Sequence, residues 1–210
     1  MRFWMKWLWD IRPRLKGALF KWMYLGKQVK IGKNFRCDTF PELWITDKGR
    51  LEIGNDVYLK RNVEMRVHKQ ATLRLGDRVK IDRGVRLLTT NEATLDVREG
   101  ARVGLSTVFN GGDSITVGKN VLISGYVYIQ TSMHRHLLGV DVQKQGYDHA
   151  PIMLDDDVWL GAHVVILPGV TMGHGAIAGS NAVVTRDVGA NEVVAGIPAK
   201  PIRQRKEGDE

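Results

Sequence analysis

The sequence predicts an all-β solenoid: a parallel β-helix of triangular section, with an amphipathic α-helical segment ahead of it and one arm expelled from its side. Three observations carry this prediction. First, a unit recurs. Leu51-Glu52-Ile53-Gly54, Leu73-Arg74-Leu75-Gly76, Leu95-Asp96-Val97-Arg98 and Ile115-Thr116-Val117-Gly118 are alike. Ile31, Ile53, Leu75 and Val97 follow one another at 22 residues, and Val117 comes 20 later. Second, a period of six nests inside that unit. Late in the chain it runs unbroken through Leu154, Leu160, Ile166, Met172, Ala178 and Val184. A companion row holds Val158, Val164, Val170, Ala176, Ala182 and Val188. Third, the interval from Val117 to Leu154 is 37 residues, too long for one unit.

The elements follow from these periods. One apolar residue in six, with glycine, asparagine or aspartate between, makes a short strand and a corner. Three such steps close a coil of 18 residues, and four more residues at one corner make the 22-residue unit. Gly76, Gly84, Gly118, Asn62 and Asn120 fall where the corners need left-handed or tight backbone. Subtracting one unit from the long interval leaves about fifteen residues for an arm within 132–150, the stretch where function is expected to gather. The predicted divisions are a helical head at 1–26, the solenoid at 27–197, and an exit segment with a polar tail at 198–210. The tail, from Gln204 to Glu210, reads as disordered.

Charge is concentrated at one end. Residues 1–30 hold eight cations against the single acid Asp10, which leaves +1 of the formal +8 for the other 180 residues. Trp4, Trp7, Leu8, Ile11, Leu15, Leu19 and Trp22 fall on one helical stripe, and Pro13 should kink that helix or start a second. Tryptophan favours the lipid headgroup zone, and lysine and arginine attract anionic lipid. Residues 1–25 are therefore expected to touch an anionic membrane peripherally, on the cytoplasmic face of the cell membrane; packing on the body is the other reading. A near-neutral body is a poor nucleic-acid partner. The single cysteine, Cys37, excludes an intrachain disulfide and a cysteine zinc cluster, and reads as a small core residue. No apolar run is long enough for a membrane span, and charges interrupt any signal-peptide pattern.

The run Val158–Arg203, VWLGAHVVILPGVTMGHGAIAGSNAVVTRDVGANEVVAGIPAKPIR, closely resembles the C-terminal coils of hexapeptide-repeat acetyltransferases, among them the maltose, galactoside and polysaccharide O-acetyltransferases. The resemblance covers roughly residues 31–203. It implies a left-handed β-helix, a homotrimer with active sites between subunits, acetyl-CoA as co-substrate, a sugar or glycan acceptor and no metal. The family's T-x-x-H pattern falls on Thr131-Ser132-Met133-His134, which makes His134 the implied catalytic base. Its CoA-contacting positions fall on Ala162, Ser180, Thr185, Arg186, Lys200 and Arg203, and its acceptor-pocket tryptophan on Trp159. The family's acceptor-binding asparagine and aspartate are not matched; Asn110 and Asp113 are the polar neighbours that could serve the acceptor.

Direct acetyl transfer needs a base for the hydroxyl proton and a donor for the developing oxyanion. Histidine suits the first role. A backbone N–H at a tight corner suits the second, and Gly161 permits close approach. Arg186, Lys200 and Arg203 suit the CoA phosphates. His136 is the rival base, and His149 ends the arm and orients it. Three other readings stand beside this one. They are amino-sugar N-acetylation, a non-catalytic membrane-associated trimeric scaffold, and a zinc hydratase like the γ-class carbonic anhydrases, with His134, His136 and His149 as ligands.

Overall fold

The computed structural model describes residues 3–206 and 208, with side chains described from residue 11 onward. The chain forms a parallel β-solenoid of about seven turns behind a single N-terminal helix. Its first face stacks seven strands, from Val29–Ile31 to Thr171–Met172. The third face also has seven, from Glu42–Ile45 to Val183–Val184. The second face has nine, from Arg36–Cys37 through Glu192–Ala195 to Lys200–Gln204. All stacking is parallel except for that last pair, which runs antiparallel and closes the C-terminal end.

The predicted periods are the registers of this stack. Ile31 pairs with Ile53, Ile53 with Leu75, Leu75 with Val97 and Val97 with Val117. Every residue of the two late six-residue rows is buried. Each step that carries an apolar side chain inward removes it from water, at roughly 25 cal/mol per Å² of apolar surface. The corners take the conformations expected of them. Asn62, Gly84 and Asn120 have φ of 58°, 67° and 56°. Gly76 and Gly118 are tight instead: a Cβ at Gly118 would lie 2.5 Å from the Asp155 carbonyl carbon of the next coil. The extra residues of the longer coils form a turn such as Thr46–Gly49, with Asp47 left-handed and the Gly49 N–H donated to the Thr46 carbonyl (3.0 Å).

The arm is longer than fifteen residues. Val117 pairs with Leu154, but Leu154 pairs with Met172 only 18 positions on. The coil carrying the arm is thus of the short type, and residues 132–150 are all expelled. The Ala150 N–H, donating to the Thr131 carbonyl (3.0 Å), closes its neck.

Two further expectations are revised, and the seating of the head is resolved. The helix Phe3–Tyr24 runs unbroken through Pro13, and no second helix begins there; proline keeps a helical φ while forfeiting one hydrogen bond. The tail is ordered further than expected, since Gln204 ends a strand and Arg205 donates to Asp157 (2.9 Å) and to the Gly175 carbonyl (2.9 Å). Residues 207, 209 and 210 lie outside the described residues. Of the head's apolar stripe, Leu15, Leu19 and Trp22 do not dock on the solenoid. Gly17 and Phe20, from another face, seat the helix on the solenoid. Phe20 is fully buried against Phe35 and Phe40, with ring centroids at 5.8 and 6.3 Å, and a Cβ at Gly17 would overlap the Phe35 carbonyl. Lys21 donates to the Gly32 carbonyl at 2.9 Å. Leu15, Leu19 and Trp22 of the predicted stripe face outward, Trp22 at 80% exposure. The side chains of Trp4, Trp7 and Leu8 lie outside those described. No helix among the described residues is long and apolar enough to cross a membrane.

Cys37 is a buried core residue, and burial pushes its thiol up to about 11. Above the ordinary value of 9.0 the unfolded chain loses this proton and the folded chain keeps it. Stability therefore falls as pH rises from 9.0 to about 11 and is indifferent to Cys37 below that window. An aromatic disulfide reagent at pH 8 should leave the native thiol intact and titrate it on unfolding; stoichiometric labelling of folded protein would contradict this burial.

Candidate active site

The expelled arm is a β-hairpin. Ser132–His134 pairs antiparallel with Tyr147–His149, in the register Ser132 to His149 and His134 to Tyr147. Strand side chains alternate sides, so Ser132, His134, Tyr147 and His149 share one face of the hairpin. The rings stack along it, with His134 to Tyr147 at 4.1 Å and Tyr147 to His149 at 6.1 Å. On the other face Arg135 Nε binds Asp148 at 2.7 Å. The loop beyond is held by Gln145, whose side-chain oxygen accepts from the Leu137 N–H (2.7 Å) and whose amide donates to the Val140 carbonyl (2.7 Å).

The root of the hairpin is anchored on the solenoid. The Ser132 hydroxyl and His149 Nδ1 are 2.8 Å apart, and both rest on Gly112, where a Cβ would lie 2.6 Å from that nitrogen. Thr131 is fully buried; its hydroxyl accepts from the Asp113 N–H (2.9 Å) and donates to the Asn110 carbonyl (3.2 Å). Asn110 donates from its amide to the Tyr128 hydroxyl at 3.3 Å, and the Asp113 carboxylate accepts from the Ser114 N–H at 2.6 Å. Asn110 and Asp113 thus stand together at the foot of the arm, half-buried and tied into it. His149 ends the second strand of the hairpin, with its Nδ1 beside the Ser132 hydroxyl. Tyr147 and Ser132, which the sequence reading did not single out, complete the ring stack and its anchor. Only the hairpin register could have found them, because it sets residues 13 and 17 apart face to face.

His136 turns back on the strand, its Nδ1 lying 3.1 Å from the His134 carbonyl oxygen. The Tyr147 ring stands between His134 and His149 in the stack, so the three histidines do not converge as zinc ligands would.

The six CoA-type positions gather at the C-terminal end. Leu160 pairs with Ala178, and Ala178 with Val194. Ala162 and Ser180, two residues past the first two of these, therefore lie on consecutive rungs of one corner. Lys200 pairs with Ala195 one rung further, and Arg203 with Val193. Thr185 and Arg186 leave the last strand of the third face, Val183–Val184, which the exit segment covers through the Ala199 N–H bonded to the Val183 carbonyl (2.8 Å). Trp159 lies on the second face, 45% exposed, its indole N–H 3.4 Å from the Ser124 hydroxyl. Within one chain Ala162, Ser180, Lys200, Arg203 and Trp159 belong to the second face, whereas the arm and the Thr185–Arg186 pair leave the third.

The Gly161 expectation is corrected. Its N–H is bonded to the Ala178 carbonyl (2.8 Å), and a Cβ there would lie 2.6 Å from the Ser180 nitrogen. The glycine lets two coils stack; its N–H is not available for an oxyanion.

The architecture is that of a left-handed β-helix. It superposes on the polySia specific acetyltransferase NeuO with a TM-score of 0.67 at 21% identity, over 87% of this chain and 84% of that one. It superposes on a point mutant of AntD, an N-acyltransferase from Bacillus cereus in complex with dTDP and Coenzyme A, with a TM-score of 0.56 at 20% identity, over 89% and 88%. These likenesses are of fold. In sequence, the galactoside O-acetyltransferase of Escherichia coli K12 is 38% identical over 97 residues, 46% of this chain and 47% of that enzyme. The chain spans about half the length of the curated relatives it matches. No family model matches it.

Proposed function

We propose that the protein is an acetyl-CoA-dependent O-acetyltransferase acting on a sugar hydroxyl, with His134 as general base. The observation that carries this reading is the ring-stacked, solenoid-anchored hairpin that holds His134 out from an otherwise regular coil stack. The galactoside and polySia acetyltransferases among its relatives and structural neighbours support a glycan acceptor. The acceptor is read as a precursor of a surface polysaccharide. In the reaction His134 takes the hydroxyl proton as the oxygen attacks the thioester carbonyl. The tetrahedral intermediate then expels the CoA sulfur, which receives that proton. The C–O bond replaces the C–S bond, and no covalent enzyme intermediate is needed.

A homotrimer fits this reading. In one chain the arm leaves the third face while Ala162, Ser180 and Lys200 lie on the second, and an arm reaching to a neighbour's coils would join them. The arm tip exposes Leu137, Leu138, Val140 and Val142, apolar surface that such a neighbour would cover. An amine acceptor is the second reading, favoured by the N-acyltransferase neighbour. Transfer of labelled acetyl from acetyl-CoA to paired hydroxyl and amino sugars separates the two.

The head is read as a peripheral anchor on an anionic membrane, at the cytoplasmic face. The outward Leu15, Leu19 and Trp22 supply its apolar contact. Deleting residues 1–25 would also strip Phe20 from the solenoid, so point changes test this better. L15E/L19E/W22E should abolish co-sedimentation with phosphatidylglycerol-rich vesicles and leave the melting temperature within a few degrees. Undiminished vesicle binding would place the contact elsewhere.

A further inference from the structure

The outward residues of the second face form a column in strict register: Arg36, Tyr58, Lys80, Arg102, Leu122 and Trp159 sit on consecutive rungs. Two of its cations, Lys80 and Arg102, lack the ion pairs that most cations of the other two faces make. On the first face Lys30 and Arg74 flank Glu52 at 3.7 and 2.8 Å, and Arg98 meets Asp96 at 3.2 Å. On the third, Arg66 and Arg86 share Glu64. On the second, Asp82 is committed to Lys60 at 2.9 Å and to the Arg83 N–H at 2.6 Å, and Asp38 accepts from the Tyr58 hydroxyl at 2.6 Å. Lys80 and Arg102 are exposed and have no acidic partner among the described residues. The Arg36 guanidinium lies 5.0 Å from the centre of the Tyr58 ring. A groove of about 390 Å³ opens along this column, lined by Tyr58, Lys60, Lys80, Asp82, Arg102 and Leu122.

We propose that this column is a track for an extended acidic glycan, one with a carboxylate on successive sugars, and that it holds the part of a polymeric acceptor remote from the reacting hydroxyl. The inference rests on the acetyltransferase reading and narrows its acceptor. Three features point to this occupant. Rungs of a β-stack are about 4.8 Å apart, so Lys80 and Arg102, on adjacent rungs, stand one sugar ring apart along the solenoid axis. The column is one side chain wide and bounded by faces whose cations are mostly ion-paired, which suits a thin linear polyanion rather than a nucleic-acid duplex that needs a broad basic surface. An exposed aromatic ring, Trp159, stands in the same column as a platform for a sugar face. The column also leads through Leu122 to Trp159, one rung from Ile177 and two residues from Gly161, toward the corner that carries Ala162 and Ser180.

The test uses the full-length protein and calorimetric titration with size-defined oligogalacturonate, neutral malto-oligosaccharide of equal length, and a DNA duplex. Oligogalacturonate should bind, and more weakly as salt rises. The neutral oligomer should bind at least tenfold more weakly. K80E/R102E should lower the acidic oligomer's affinity about tenfold with acetyl-CoA binding and native mass unchanged. Equal affinity for both glycans, tighter binding of duplex at these residues, or a change of oligomeric mass in K80E/R102E would each overturn the track. The last would assign the column to a subunit interface. Acetyl-CoA binding by the unaltered protein, measured in parallel, reports on the acetyltransferase reading separately.

Discussion

Replacing His134 by alanine is expected to lower kcat for acetyl transfer by about 10²–10⁴, the range that a positioned general base contributes. Acetyl-CoA binding should persist, because Ala162, Ser180 and Lys200 lie on other elements than the arm. Folding should persist as well. His134 is exposed, and the neck of the hairpin is held by Thr131, Ala150, Ser132 and His149 without it. His136→Ala is the matched control. That ring turns back toward the His134 carbonyl and its loss should change kcat less than threefold. Rates measured by release of the CoA thiol with a glycan acceptor decide between them. A collapse in His136→Ala with His134→Ala near normal would move the base two residues along the arm.

Phe20→Ala is expected to destabilise the protein by about 3–5 kcal/mol, the cost of removing a fully buried aromatic ring. In a chain of this length that lowers the melting temperature by roughly 10 °C. The size of the effect follows from where Phe20 sits. Each coil of a solenoid touches only its neighbours, so an uncapped end exposes both apolar core and unpaired strand edge. The strands Val29–Ile31 and Arg36–Cys37 are such edges, and the helix covers them through Gly17, Phe20 and the Lys21 bond to Gly32. Trp22→Ala, on the opposite side of the same helix, should cost under about 0.5 kcal/mol. Calorimetric melting of the two variants tests the cap directly. Equal losses would mean that the helix does not close the solenoid.

These two residues mark where sequence reading reaches and stops. The coil stack was legible because its constraint is local and repeated. Every sixth residue must be apolar to enter a core one side chain wide, and every corner must tolerate left-handed or crowded backbone. Those demands print themselves as periods, and Ile31, Ile53, Leu75 and Val97 pair as their spacing requires. The helix was legible only in part. Its apolar stripe, with Leu15, Leu19 and Trp22, reads first as a membrane contact; which residues seat the helix on the solenoid, Gly17 and Phe20, the pattern does not show. Close approach to the Phe35 carbonyl needs the absence of a side chain, which no hydrophobicity pattern records.

Length, repeat and corner chemistry in the sequence alone determined a triangular β-solenoid, a basic head, an expelled arm and His134 within that arm. The tertiary structure decided what stands beside what. It set Tyr147 and His149 against His134, tied the Gly161 N–H to the neighbouring coil, and aligned Lys80 and Arg102 in one unneutralised column. The reason is physical. Hydrophobic periodicity is a property of a residue and its near neighbours along the chain. Contacts across a hairpin, and charges matched or unmatched between coils 22 residues apart, depend on a register that exists only once the chain has closed on itself.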